Sequence, residues 1–257
     1  MMPVVTRSSL LSPPKHCVDF VWLLRGELFL LRATWFWYVV QVSFVPLSTL
    51  VFLWLLVGRA HPEAMLFAVT GSWVVTISMG AMLSLGQHLG ALKDQHAYEY
   101  FATLPISKAV FIAAVTTRGV LLSLPSLIIV MLVGRVIFGF AVPPGGVVIV
   151  VLSAYAMAGM GAVIGFWSPT AMVASLATQV LQTVITLLAP VYLPADALPG
   201  PLRVTSLLWP TTHAALALRA VMIGAPFAAY WSSVAVLAGY AFVSFVVIPR
   251  RLEWRRR

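Results

Sequence analysis

The sequence is poor in charge and almost free of cysteine. Charged residues make up 9% of its 257 residues, whereas a soluble domain carries about 25%. Because several apolar runs of about 20 residues accompany this deficit, we expect an integral membrane protein rather than a soluble one. The single cysteine, Cys17, excludes an intrachain disulfide and a CxxC redox or metal motif.

Motifs for chemistry within the chain are also missing. The sequence contains no GxxxxGK(S/T) phosphate-binding loop, and none of its three lysines lies in a glycine-rich loop. Its five histidines do not show the spacing of metal ligands, and no Ser/His/Asp grouping stands out. We therefore expect no ATP site, no metal site and no cofactor in this chain, and no enzyme activity of its own.

Long apolar runs and prolines are what the sequence does contain. The expected fold class is all-α integral membrane, with six transmembrane helices at about 35–57, 65–87, 119–138, 147–167, 171–192 and 228–248. These spans belong to a single transmembrane domain over 17–249. A flexible cytoplasmic N-terminus is expected over 1–16, and a basic cytoplasmic tail over 250–257.

An amphipathic helix is expected before the first span, over 17–33. Val21, Leu24 and Leu28 recur at three- and four-residue spacing, which places them on one helix face. Arg25 and Arg32 lie seven residues apart on a shared side, where they would meet lipid phosphates at the membrane interface. The alternative is that this segment is only the cytoplasmic end of the first span.

Basic residues set the expected orientation. With six spans, twelve of the sixteen basic residues fall on one side, together with both termini. That side is cytoplasmic by the positive-inside rule. The external segment 193–227 is then expected to form short re-entrant helices, because Pro210, His213 and Arg219 disfavour a seventh span; an arginine alone costs about 2.5–3.5 kcal/mol at a span centre.

Residues 92–105, LKDQHAYEYFATLP, interrupt the apolar pattern between two spans. A polar segment cannot lie in lipid, so this one must face water. Lys93, Asp94 and Glu99 alternate with Tyr98 and Phe101, which predicts a short helix with a charged and an aromatic face. Such a helix suits docking into the groove of a partner protein.

Polar side chains within the expected spans are few. They are Gln41 in the first span and Thr178, Gln179 and Gln182 in the fifth. They could form the weakly polar wall of a substrate path or make hydrogen bonds between helices. Two GxxxG motifs, Gly86 with Gly90 and Gly161 with Gly165, allow close helix approach. Acidic residues are almost absent from the span centres, which counts against proton coupling.

Two of these patterns resemble the membrane subunits of type-2 ABC exporters, in the drug and polysaccharide efflux group. After the second span, that family carries a pattern close to E-R-E-x-G-T-L-E-x-L-L-A-T-P. Here Lys93 and Asp94 stand at its Arg-Glu pair, and the sequence departs from it at His96, Ala97 and Tyr98. Glu99 and Pro105 match the pattern directly, and Phe101 and Ala102 occupy its paired-leucine positions. Arg118 stands where the family has a later basic residue.

A proline-rich segment after the fifth span also resembles the family. The matching residues are Pro194, Leu198, Pro199, Leu202, Ser206, Leu208, Pro210, Leu218 and Arg219, with Trp209 in place of the usual asparagine. The resemblance covers nearly the whole chain after residue 17. It implies that residues 92–105 are a coupling helix and that Pro199, Pro210 and Arg219 belong to an external gate.

The resemblance also implies the partners and the activity. The chain would pair with a second permease subunit, identical or related, and with two cytoplasmic ATPase subunits that carry ATP and Mg. It would export a hydrophobic or amphipathic substrate, such as a drug, lipid or lipid-linked glycan, across the bacterial inner membrane. The rival interpretations are a secondary transporter or channel, a membrane enzyme, and an assembly for lipid organisation or sensing.

Overall fold

The structure is a computed structural model that describes residues 13–57, 61–188 and 190–251. Every long element in these ranges is helical. The α-helices are α1 Pro13–Leu31, α2 Trp35–Val57, α3 Pro62–Ile77, α4 Ser84–Asp94, α5 Ala97–Thr103, α6 Lys108–Phe138, α7 Pro144–Trp167, α8 Ala171–Leu188, α9 Gly200–Ser206, α10 Pro210–Met222 and α11 Trp231–Arg251. The predictions for residues 1–12 and for the tail beyond 251 lie outside the described residues.

Four helical stretches are long and apolar enough to cross a bilayer. They are Trp35–Leu56, Pro62–Asp94, Lys108–Phe138 and Pro144–Trp167. The apolar stretches Ala171–Leu187 in α8 and Trp231–Val246 in α11 are shorter than these four. The predicted bounds of the first span, 35–57, agree with α2. The fifth predicted span, 171–192, is too long, since α8 ends at Leu188.

The second predicted span, 65–87, is part of a longer helix. A π-helical segment, Ser78–Leu83, joins α3 to α4 without a break, so the helix runs for 33 residues from Pro62 to Asp94. We call this continuous element the long helix. At a rise of 1.5 Å per residue it is about 50 Å long. It also lies at the centre of the bundle, because 83% of the residues in its most apolar 18-residue segment are buried.

The third predicted span, 119–138, is likewise too short. Helix α6 begins at Lys108, and its early residues Phe111, Ile112 and Val115 are buried. The first turns of α6 therefore pack inside the protein instead of projecting into water.

Glycines allow the long helix to approach α7 closely. A Cβ atom on Gly165 would lie 2.9 Å from the carbonyl oxygen of Gly86, and one on Gly86 would lie 3.1 Å from the carbonyl oxygen of Gly161. A Cβ atom on Gly161 would overlap with the carbonyl oxygen of Met82 in the π-helical segment. Gly86 therefore faces both glycines of the α7 motif within one chain, whereas Gly90 faces Ala171 and Ala174 of α8. The small glycine surfaces allow this close helix packing.

Two short helices, α9 and α10, follow α8, as predicted for residues 193–227. Pro201 and Pro210 stand in their first turns, where a proline costs no hydrogen bond because the first N–H groups of a helix lack partners anyway. Helix α10 contacts α3, α7 and α11 and buries most of its residues. Helix α5 therefore lies at the α4 end of the long helix, and α10 lies against its α3 end.

Candidate functional site

The polar stretch 92–105 is divided by a left-handed residue. His96 has a backbone φ of 54°, a left-handed conformation that residues other than glycine rarely adopt. It separates α4, which ends at Asp94, from α5, which has seven residues. The prediction of one helix over 92–105 is therefore wrong in its bounds. Pro105 follows α5, and Ser107 then caps α6 by accepting a hydrogen bond of 3.2 Å from the Val110 amide.

Lys93 binds the end of α7. Its Nζ atom donates hydrogen bonds to the carbonyl oxygens of Phe166, at 2.7 Å, and Ser168, at 2.5 Å. The last carbonyl groups of a helix have no partners within the helix and carry partial negative charge. The Lys93 ammonium group donates hydrogen bonds to these carbonyl groups and offsets their partial negative charge.

Asp94 binds the beginning of α8. Its Oδ2 atom accepts a hydrogen bond of 3.0 Å from the amide of Ala171, the first residue of that helix. The carboxylate matches the partial positive charge at a helix N-terminus. Lys93 and Asp94 therefore place opposite charges against the opposite helix ends that flank residues 168–170. Together they fasten the end of the long helix to the connection between α7 and α8.

The aromatic face of α5 points into the protein. The Tyr98 hydroxyl donates a hydrogen bond of 2.9 Å to the carbonyl oxygen of Leu89, and its ring lies 5.8 Å from that of Phe166. The Phe101 and Phe111 ring centroids are 4.8 Å apart. Burial, with a smaller contribution from the Glu27 carboxylate, raises the pKa of Tyr98 well above its usual value. These contacts hold α5 against α4, α6 and α7.

The outer face of α5 carries Glu99, Tyr100 and Thr103, all of them exposed. The side chain of Tyr100 is 64% exposed, although it received no role in the sequence prediction. Periodicity separates the two faces of a short helix, but it does not indicate which face meets the rest of the chain. Tyr98 and Phe101 are occupied by contacts within the chain, so the α5 side chains available to a partner are Glu99, Tyr100 and Thr103.

A buried ion cluster lies beneath α5. The Oε2 atom of Glu27, on α1, is 2.9 Å from Nε2 of His88 and 3.2 Å from Nε of Arg118. Glu27 and Arg118 are at most 5% exposed, and His88 is 14% exposed. Arg118, predicted as a coupling residue, is thus buried in α6. Glu27 and His88 were missed, although an acidic residue in a largely apolar helix was a signal.

The predicted substrate-path residues are divided between two surfaces. Gln182 is buried and accepts a hydrogen bond of 2.6 Å from Ser78 in the π-helical segment. Thr178 is buried beside the long helix, where its methyl group approaches Gly86. Gln179 and Gln41 are exposed, on α8 and α2 respectively. The structure therefore brings together Thr178 and Gln182 only, and Gln182 hydrogen-bonds between helices there.

Arg219 connects the elements at the end that bears α9 and α10. It is 7% exposed, donates from Nε to Oγ1 of Thr70 at 3.1 Å, and donates to the carbonyl oxygens of Pro190 and Val191. Its guanidinium carbon lies 4.0 Å from the centroid of the Phe67 ring. This arginine fastens α10 to α3 and to the turn after α8. Of the other predicted gate residues, Pro199 precedes the first residue of α9 and is exposed, and Pro210 is buried.

The predicted interfacial helix, 17–33, corresponds to α1. This helix begins at Pro13, within the segment predicted to be flexible, and ends at Leu31. Arg25 and Arg32 are exposed, and the Arg25 guanidinium lies 5.7 Å from the Trp22 ring centroid. The opposite side of α1 packs on α6 through Glu27 and Leu31. The helix is therefore attached to the bundle on one side and presents both arginines on another.

These features define the class of the protein. A bundle with four apolar helices long enough to cross a bilayer is an integral membrane protein. The family model described as ABC-2 type transporter matches residues 18–223, so the chain belongs to that family and is a permease of an ABC transporter. The resemblance carried by the two sequence motifs is confirmed. No curated protein matches the chain.

Proposed function

We propose that this chain is the transmembrane subunit of an ATP-driven exporter for a hydrophobic or amphipathic substrate, such as a drug, lipid or lipid-linked glycan. ATP is bound with Mg and hydrolysed on two separate ATPase subunits, and a second permease subunit completes the complex. The protein has six spans in the bacterial inner membrane, with both termini and α5 in the cytoplasm. Family membership and the asymmetric distribution of basic residues support this proposal.

The attachment of α5 to the membrane helices is the observation that carries the proposal. Glu99 and Tyr100 form the exposed surface that the ATPase contacts. Tyr98 and Phe101 fasten α5 to the aromatic cluster of Phe111 and Phe166. Movement of the ATPase therefore displaces α5 together with the helices beneath it.

Lys93 and Asp94 extend this movement to α7 and α8. They bind the adjacent ends of these two helices. Lys93 and Asp94 lie at one end of the long helix. Thr70, which accepts a hydrogen bond from Arg219, lies near its other end. A rigid helix of about 50 Å can convey displacement from α5 to α10. The π-helical segment, which contacts α6, α7 and α8, lies midway along this path.

The proposal is tested by copurification. The full-length protein is isolated from native membranes in mild detergent, and the bound soluble ATPase is measured by its ATP hydrolysis. The double substitution E99A/Y100A should abolish copurification and leave the thermal unfolding of the permease unchanged, because both side chains are exposed. The control E63A removes an exposed carboxylate at the opposite end of the long helix and should retain the ATPase.

Each result decides between the candidates. Absence of any ATPase from the wild-type preparation would favour a secondary transporter or channel. Retention of the ATPase by E99A/Y100A would contradict α5 as the docking surface. Loss of the ATPase from E63A as well would show that the effect is not specific to α5.

A further inference from the structure

A groove of about 570 Å³ lies between α1, α2 and α6. Its wall is apolar and includes Phe29, Trp35, Leu121 and Pro125. Among the described residues, Arg25 and Arg32 are the charged ones that line it. The volume falls within the range of about 300–1,000 Å³ that is common for small-molecule sites.

The groove is held open by contacts between its three helices. Ser126 donates a hydrogen bond of 3.2 Å to the carbonyl oxygen of Val39, which joins α6 to α2. Glu27 pairs with Arg118 at 3.2 Å, which joins α1 to α6. Because both contacts are buried or partly buried, the groove is formed before any ligand arrives.

The arginines of the groove lack a carboxylate partner in the part of the chain that the structure describes. The ion pairs there involve Glu27, Glu99 and Asp196, and none of them includes Arg25 or Arg32. Glu27, the buried acid on α1, is already bound by His88 and Arg118. The rim of the groove therefore presents two positive charges above an apolar wall.

We propose that this groove binds one membrane phospholipid with an anionic headgroup. Arg25 and Arg32 contact the phosphate, and an acyl chain lies along the wall formed by α1, α2 and α6. A soluble anion would leave the apolar wall without a partner. Residues 1–12 of the chain are a poor occupant, since they contain Arg7 and no acidic residue. This site is independent of transport, and its test requires no ATPase.

The test is native mass spectrometry of the full-length protein in nonionic detergent. Phosphatidylglycerol and phosphatidylcholine with identical acyl chains are titrated separately. The substitution R25Q/R32Q should weaken phosphatidylglycerol binding about 25-fold, or about fivefold for each basic residue near an anionic lipid. It should weaken phosphatidylcholine binding much less, because the choline ammonium of that lipid already offsets the charge of its phosphate.

The control R135Q/R203Q removes the same charge from exposed positions at the opposite end. It should bind phosphatidylglycerol like the wild type. An equal loss in this control, or no loss in R25Q/R32Q, would overturn the proposal. Competition by glycerol 3-phosphate as strong as that by the intact lipid would overturn it in favour of a soluble anion.

A second variant tests the apolar wall. Leu121→Trp fills the groove and should weaken the binding of both lipids. Unchanged binding of both lipids would contradict an acyl chain in the groove. If Leu121→Trp instead converts a dimer into a monomer and leaves lipid binding intact, a second copy of the chain is the occupant. Should this variant unfold, R25Q/R32Q and its control decide the question.

Discussion

Lys93 Nζ and the carbonyl oxygen of Phe166 are 2.7 Å apart, so the end of the long helix is bonded to the end of α7. The next residue, Asp94, binds the first amide of α8. Two adjacent residues of opposite charge thus join three helices at the base of α5. This arrangement gives the charged pair a structural role that sequence spacing alone does not reveal.

Replacing Lys93 with methionine should lower the free energy of unfolding by about 1–2 kcal/mol. The carbonyl groups of Phe166 and Ser168 would lose a charged donor, and the partial exposure of the ammonium group limits the cost. Thermal unfolding in detergent measures this loss. In the proposed complex with the ATPase, Lys93→Met should reduce transport more than it reduces ATPase binding.

Lys15→Met is the matched control, since it removes the same group from α1. It should change neither unfolding nor transport. If Lys93→Met behaves like this control in both measurements, the contact with α7 has no mechanical role.

The Glu27 cluster predicts an asymmetry between two substitutions. Glu27→Met leaves Arg118 buried without its carboxylate and should cost about 3–5 kcal/mol of unfolding free energy. Arg118→Met should cost less, because Glu27 keeps its contact with His88. The double variant should be more stable than Glu27→Met, because no isolated buried charge remains.

Denaturant or thermal unfolding of the four proteins in this cycle gives the coupling energy. Glu63→Met, at an exposed position, should change stability by no more than about 0.5 kcal/mol. Additive effects of Glu27→Met and Arg118→Met would contradict a direct interaction between the two side chains.

Alanine substitutions at two glycines should change the stability of the protein in opposite directions. Gly161→Ala places a methyl group against the Met82 carbonyl and should destabilise the protein by about 1–3 kcal/mol. Gly239→Ala in α11 meets no atom within 4 Å and should stabilise it by about 0.4–1 kcal/mol. Melting temperatures of the two variants should therefore move in opposite directions, and a shared direction would argue against the close approach of α7 to the long helix.

Arg219 should not tolerate lysine. A lysine ammonium group cannot reproduce the fork that contacts Thr70, Pro190 and Val191, so at least one buried acceptor would lose its partner. The expected cost is about 1–3 kcal/mol in thermal unfolding. Arg203→Lys, in an exposed pair with Asp196, should cost at most about 1 kcal/mol. Equal effects would show that the buried contacts of Arg219 add nothing.

Tyr98→Phe should have a pH-dependent effect. At neutral pH it removes the hydrogen bond to Leu89 and should cost about 1 kcal/mol. The pKa of Tyr98 is raised in the folded state, so its stabilising contribution is complete below about pH 10, the pKa of an unfolded tyrosine, and is lost as pH rises further. The difference in stability between the wild type and Tyr98→Phe should therefore shrink above pH 10.

Unfolding in denaturant at several pH values between 8 and 11 measures this difference. Tyr100→Phe, at an exposed position of the same helix, is the control and should leave stability unchanged at neutral pH. A constant difference between the wild type and Tyr98→Phe across the series would contradict the burial of the Tyr98 hydroxyl.

Much of the fold could be predicted from local patterns. The apolar run 35–57 defined α2 because a span of this length has few alternatives in lipid. The prolines of 193–227 identified short helices because they interrupt any longer one. The sequence analysis missed that the long helix continues to Asp94, because the polar residues after Gln87 suggested that it ends there. In the structure, Lys93 and Asp94 extend the helix and bind α7 and α8.

The candidate site was predicted less completely. The stretch 92–105 contains exposed polar residues, as predicted, but the periodicity of α5 does not tell which of its faces packs inward. Gln179 and Gln182 illustrate the same limit, since they are three residues apart and only Gln182 is buried. In both cases the neighbouring helices decide, and they come from distant parts of the chain.

By itself, the sequence determined the membrane class, the family and the position of the polar stretch, because each depends on composition or on residues close together in the chain. Only the tertiary structure decided that Glu27, His88 and Arg118 meet, and that Lys93 and Asp94 bind α7 and α8. These contacts join residues 61 to 91 positions apart. Pairing over such distances depends on how the helices pack, which no local pattern specifies.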